Sequence, residues 1–198
     1  MAEHRLRVSE GNRKMGSVPS VSLPAVKSCG DVPCTRDCYV VRNMYGGPWR
    51  RNIMAAHNAN LEFLTADRDG YFAALESWLK KKAPDLFRFH VSGDFIDRDH
   101  LERTIDLTRR LPEVGFLAFT KRHEWLPAPR KVPHNFALIA SLWPGWSKRP
   151  KGYRVAWMQD GSETRIPDSA IRCPGNCETC GVCWSIRKLR RDVWFKKH

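Results

Sequence analysis

Between Cys38 and Cys173 the 198-residue chain has no cysteine, although it carries seven in all. It also lacks an apolar leader: Met1 to Ser20 is charged throughout, so no secretory signal is read there. Long apolar runs are missing as well. The best, around Val114–Phe119 and Phe136–Trp143, are too short to span a bilayer. No P-loop, dinucleotide fingerprint or hydrolase nucleophile elbow occurs. The seven histidines show no metal-ligand spacing, and there is no internal repeat. Together these absences argue against secretion, membrane insertion and the commonest nucleotide-hydrolysing chemistries. A cytoplasmic protein with no membrane partner is expected. Its cysteines should serve metal or redox chemistry, because a disulfide framework needs an oxidising compartment.

What is present is unevenly placed. Cys29, Cys34 and Cys38 form C-x4-C-x3-C, and Cys173, Cys177, Cys180 and Cys183 form C-x3-C-x2-C-x2-C. Such spacing lets one tight loop aim several thiolates at one centre, and soft thiolates select zinc or iron–sulfur clusters. Four cysteines can close a zinc tetrahedron or a [4Fe–4S] cluster. Three on a four-iron cube leave one iron open. The simplest partition is therefore an open centre on the first group and a closed one on the second. Zinc stays open for the second group, where Cys177-Glu178-Thr179-Cys180-Gly181 reads like a zinc knuckle.

Residues 1–16 are charged and aperiodic and read as a flexible basic arm. Residues 17–198 read as one α/β domain ending in a cysteine cluster and a basic tail. Strands are expected at Ser17–Val26, Leu86–Val91, Gly115–Thr120, Phe136–Leu142 and Tyr153–Met158. Helices are expected at Pro48–Leu64, Tyr71–Lys82 and Asp97–Arg110, and Trp184–His198 also has helical character. This order predicts a partial (β/α) barrel or an open, mostly parallel sheet with Cys-rich loops near both ends. Ligands then sit at the carboxyl ends of the strands. That rule singles out the Cys29–Cys38 loop, Ser92-Gly93-Asp94, Lys121, Trp143 and Gln159-Asp160. A period of two puts Arg88, His90 and Ser92 on one face of their strand. Trp143, Trp146 and Trp157 are candidates for stacking on a planar ligand. The net charge of +13 favours a nucleic acid or a nucleotide-related substrate.

Several of these pieces occur in a known order. Cys34-x3-Cys38-Tyr39 is followed by Arg88-Phe89-His90-Val91-Ser92-Gly93-Asp94-Phe95, then Phe119-Thr120-Lys121, then Cys173-Pro174 and Cys180-Gly181-Val182-Cys183-Trp184. The chain resembles the phage gene-product-88-like family, small proteins similar to reduced members of the radical S-adenosylmethionine (SAM) superfamily. The resemblance implies an enzyme working in a host cytoplasm. It implies a [4Fe–4S] cluster on Cys29, Cys34 and Cys38, with Tyr39 beside the last cysteine. It places Ser92-Gly93-Asp94 where the amino group of SAM is held, with Asp94 in the catalytic set and His90 and Lys121 in the cofactor's surroundings. A reductant such as ferredoxin or flavodoxin would then be a partner. Two readings compete: a zinc-binding nucleic-acid-binding module without catalysis, and an electron-transfer protein with closed clusters.

Overall fold

The computed structural model describes residues 4–146 and 148–197. Eight strands form one open sheet: β1 (Val8–Ser9), β2 (Ser20–Val21), β3 (Leu86–Phe89), β4 (Gly115–Thr120), β5 (Phe136–Leu142), β6 (Val155–Gln159), β7 (Ile171–Arg172) and β8 (Val193–Lys196). Their order across the sheet is β1-β2-β3-β4-β5-β6-β8-β7. Only the β1–β2 pair is antiparallel. Of the two architectures expected, the open sheet is the one found, and it does not close into a barrel.

Among the described residues five α-helices accompany the sheet: α1 (Arg50–Ala66), α2 (Arg68–Lys82), α3 (Arg98–Arg110), α4 (Cys177–Cys180) and α5 (Val182–Leu189). Sequence chemistry sets their ends. The Asp67 carboxylate accepts from Gly70 N at 2.8 Å and Asp97 from His100 N at 2.8 Å, each supplying an acceptor to an orphan first-turn amide. Lys80, Lys81 and Lys82 lie where the helix dipole is negative.

The two faces of the sheet have different fates. Phe87, Phe89, Phe116, Ala118, Phe136, Leu138 and Ala140 point to one side and form the main core with Leu64, Phe72, Leu75, Leu101 and Ile105 of α1, α2 and α3. Registers such as Phe87 opposite Phe116 keep this face continuous. On the other side, Leu117, Ile139, Ala156 and Val193 pack against Ile186 of α5. That second layer is small and leaves part of its face uncovered. A buried network fixes the β6–β8 end: Asp192 accepts from Arg149, from Val155 N and from Trp157 Nε1.

Three expectations need revising. The flexible arm read for residues 1–16 is packed in its described part, 4–16. Val8–Ser9 pairs with β2, and Met15 is fully buried. The first strand is short, Ser20–Val21 instead of Ser17–Val26. The C-terminal stretch is a helix and then a strand, because Val193, Trp194 and Phe195 extend the sheet beside β6. Residues 1–3 of the arm and 198 of the tail lie outside the described residues. No helix among the described residues is long and apolar enough to cross a membrane.

Candidate functional site

The uncovered face is the floor of an open cleft with a cavity volume of about 190 Å³. Arg88 of β3, Leu117 and Phe119 of β4, Ser141 of β5, Ala156 and Met158 of β6 and Phe195 of β8 form that floor. They alternate with the core residues, as period-two strands require. Cys29, Cys34, Cys38 and Tyr39 line one wall, and Cys173, Cys177 and Cys183 another. The two cysteine groups, far apart in sequence, thus share one cavity. Cys180 is half-buried and stands outside this lining.

The first group lies in the loop after β2, which Ser92-Gly93-Asp94 clamps from beneath. Leu23 N donates to Ser92 O at 3.0 Å and Ser92 Oγ donates to Leu23 O at 2.9 Å. Ser28 Oγ donates to Pro24 O at 2.8 Å and accepts from Asp94 N at 3.4 Å. Gly93 adopts φ +81°, a conformation costly for residues with a Cβ. Tyr39 Oη donates to Val91 O, which ties the end of the cysteine loop to the same strand end. The triplet therefore positions the cysteine loop.

Asp94 is buried with both oxygens engaged. Oδ1 accepts from Phe95 N and Oδ2 from Lys121 N, each at 2.8 Å. Burial pushes its carboxyl up against the opposing pull of Lys121. Its geometry is that of a positioning residue binding the ends of β3 and β4, where the sequence singled it out to hold a ligand's ammonium group. Lys121 reaches into the cleft beside Cys34, Cys29 and Asp94. Burial would lower its ammonium, but those neighbours outweigh that effect and raise it.

His90 departs from the period-two expectation. Its φ of +57° ends the strand's alternation. The ring packs against Phe95 at 4.7 Å and His100 at 5.2 Å between centroids, among core side chains. Trp157 likewise lies in a core cluster with Leu142 and Val155, whereas Trp143 lines the cleft. Trp146 lies beside the His123 ring, 5.1 Å between centroids.

The second group is held by the arm that the sequence left loose. Cys177 N donates to Lys14 O at 2.9 Å, and Ser17 N donates to Glu178 Oε1 at 3.0 Å. Lys14 itself lines the cleft. These arm contacts were missed because Met15 is a lone apolar residue among charges, with no periodicity to mark it.

Burial holds protons on the thiols: Cys29 is pushed up to about 11 and Cys183 to about 12, the latter also by neighbouring Cys173, Cys177 and Cys180. Among the described residues no three His, Cys, Asp or Glu side chains converge as a ready-made metal cage. Thiol sulfur is a soft donor by type, and a bound metal would favour its ionised form.

Sequence comparison places this site in a family. The model of the family described as gene product 88 matches residues 3–186. The chain belongs to the gene product 88 family. The gene 88 protein of Mycobacterium phage L5 is 26% identical, with the alignment covering 93% of this chain and 89% of the relative. The gene 88 protein of Mycobacterium phage D29 is also 26% identical, covering 90% and 88%. No solved structure matches the chain. The matched span contains both cysteine groups and the Ser92-Gly93-Asp94 clamp, while Phe195, Lys196 and Lys197 of the cleft lining lie beyond it.

Proposed function

We propose that this gene product 88 protein is an iron–sulfur protein of radical-SAM-like type. In this reading Cys29, Cys34 and Cys38 hold a [4Fe–4S] cluster with one open iron, and Cys173, Cys177, Cys180 and Cys183 hold a second metal centre. The observation that carries it is the meeting of the two cysteine groups on one cleft at the carboxyl ends of parallel strands. Ligands of open parallel sheets bind at those ends. When bound, an open cluster with SAM supplies one-electron chemistry, and the protein's own part is to orient and shield it. Ser92, Gly93 and Asp94 fix the first cysteine loop. Lys121 sets a positive charge beside Cys34 and Cys29, where thiolates would need one. Phe119 and Phe195 keep the floor apolar and limit water. A ferredoxin- or flavodoxin-like reductant and a nucleotide-related substrate complete this reading, and the host cytoplasm is its expected setting.

Iron, sulfide and zinc per chain on anaerobically purified protein test it. About four to eight irons are expected, and the reduced protein's electron paramagnetic resonance spectrum should change when SAM is added. Cys34→Ala should remove the SAM-sensitive signal, while Cys180→Ala should lower metal content and stability together. Zinc without iron from that preparation would overturn the proposal and leave a basic zinc-stapled binding module.

A further inference from the structure

Arg88 is a buried cation without an anion. It is 8% exposed, on the cleft face of β3. Its Nη1 donates to Met15 Sδ at 3.3 Å, its guanidinium carbon lies 5.0 Å from the Phe119 ring centroid, and its Nε has no partner. A thioether is a weak acceptor, and an aromatic face offsets only part of a buried charge. Buried charges are ordinarily paired, because desolvation without a counter-ion is costly. Among the described residues Arg88 makes no ion pair.

The cleft around it shares this imbalance. Lys14 and Lys196 line it too, and the Lys14 ammonium lies 5.6 Å from the Phe195 ring centroid. The lining carboxylate, Asp37, is already paired with Arg42 at 2.7 Å and Lys197 at 3.0 Å. Walls of Phe119, Phe195 and Trp143 offer flat apolar surface. Cations beside aromatic faces are how proteins grip a phosphate with a base attached.

We propose that the cleft binds a phosphate-bearing small molecule with a planar part, Arg88 pairing its phosphates, Lys14 and Lys196 adding charge at the mouth, and the planar part lying on the aromatic side chains of the cleft. The inference rests on the reading of this cleft as the working site, and it names the class of ligand. The guanidinium is suited to the task because its planar fork gives bidentate pairing with phosphate oxygens.

Calorimetric titration of the anaerobically purified full chain with adenosine triphosphate, and separately with inorganic triphosphate, tests it, with metal content measured on each sample. Wild type should bind both, the nucleotide more tightly. Arg88→Met, matched in length to an apolar setting, should weaken binding of both by about 10- to 100-fold, the weight of a charge-assisted contact. Lys196→Gln lies on the exposed rim and keeps the test valid if Arg88→Met misfolds. It should weaken binding about 1.5- to 5-fold, the range of a partly screened surface charge. Absence of binding by wild type, or unchanged binding in both variants, overturns the inference. Loss of metal in Arg88→Met alongside loss of binding also overturns it, and makes Arg88 the counter-charge of the sulfur centre. A metal-free protein that binds through Arg88 defeats only the iron–sulfur reading. A metal-loaded protein that binds neither probe defeats only this inference.

Discussion

Lowering the pH from 7 to 5 should cost this protein about 6 kcal/mol of stability, because three histidines are buried in their neutral form. His57 is 7% exposed, His90 3% and His100 1%. Burial lowers His57 to about 4 and His100 to about 3, with the charge of Arg68 adding to the effect at His100. It lowers His90 well below its usual value, helped by the His100 and Arg88 charges. The sign follows from proton binding. An unfolded histidine takes up a proton near pH 6.5, while the folded one does not until far lower. Stability is therefore complete above pH 6.5 and is lost as pH falls toward the folded values. Each group contributes about 1.4 kcal/mol per pH unit in that window, and three together about 4 kcal/mol. Because titration begins near pH 6.5, the loss by pH 5 is about 6 kcal/mol, to be set against a total of about 5–15 kcal/mol. The raised carboxyl of Asp94 acts in the opposite direction. Circular dichroism melts at pH 7, 6 and 5 measure the slope. His57→Gln should reduce it by about one third. An unchanged melting temperature between pH 7 and 5 would mean the histidines are protonated in place.

The core was legible in the sequence where periodicity is strong. Phe72, Leu75 and Leu79 recur at helical spacing, and α2 forms as read. The helix expected over Asp97–Arg110 forms with Asp97 as its cap. Buried parallel strands declare themselves as apolar runs, as Phe136–Leu142 does. What escaped depends on distant partners. Val193–Lys196 is short and follows a basic stretch, and it becomes a strand because β6 offers it an edge. The site was legible in residue type and less so in role. The strand-end rule found Ser92, Gly93, Asp94 and Lys121, and all of them lie at the cleft or beneath it. It could not show that the Asp94 oxygens are occupied by backbone amides, since nothing in the sequence pairs residue 94 with 121. Alternation put Arg88 on the face that becomes the cleft floor, yet its missing counter-ion becomes visible only once its neighbours are placed. His90 does border the cleft, but its positive φ breaks the alternation and its ring packs against Phe95 and His100.

Gly93→Ala should cost about 2–5 kcal/mol, combining left-handed backbone strain with overpacking. At φ +81°, a Cβ on Gly93 would stand 2.4 Å from Ser28 Oγ, 2.8 Å from Leu23 Cβ and 2.9 Å from Leu23 O. One of these is backbone, and the Ser28 hydroxyl is fixed by Pro24 O, so neither can step aside cheaply. The loop carrying Cys29 has to move instead. For a chain of this size the loss corresponds to a melting temperature lower by roughly 4–20 °C. Gly175 supplies the control. It has a similar φ of +89°, but nothing lies within 4 Å of its would-be Cβ. Gly175→Ala therefore carries backbone strain alone, about 1–2 kcal/mol. The difference between the two variants isolates the close approach of the Ser92-Gly93-Asp94 turn to the cysteine loop. Limited proteolysis locates the damage. Gly93→Ala should open cleavage within residues 24–38 and spare the Cys173–Cys183 segment, which is anchored through Lys14 and Ser17. Equal losses in the two variants would mean that the turn does not brace the loop. The first cysteine group would then owe its position to Tyr39 and to the short helical turns Pro33–Thr35 and Val40–Met44 instead.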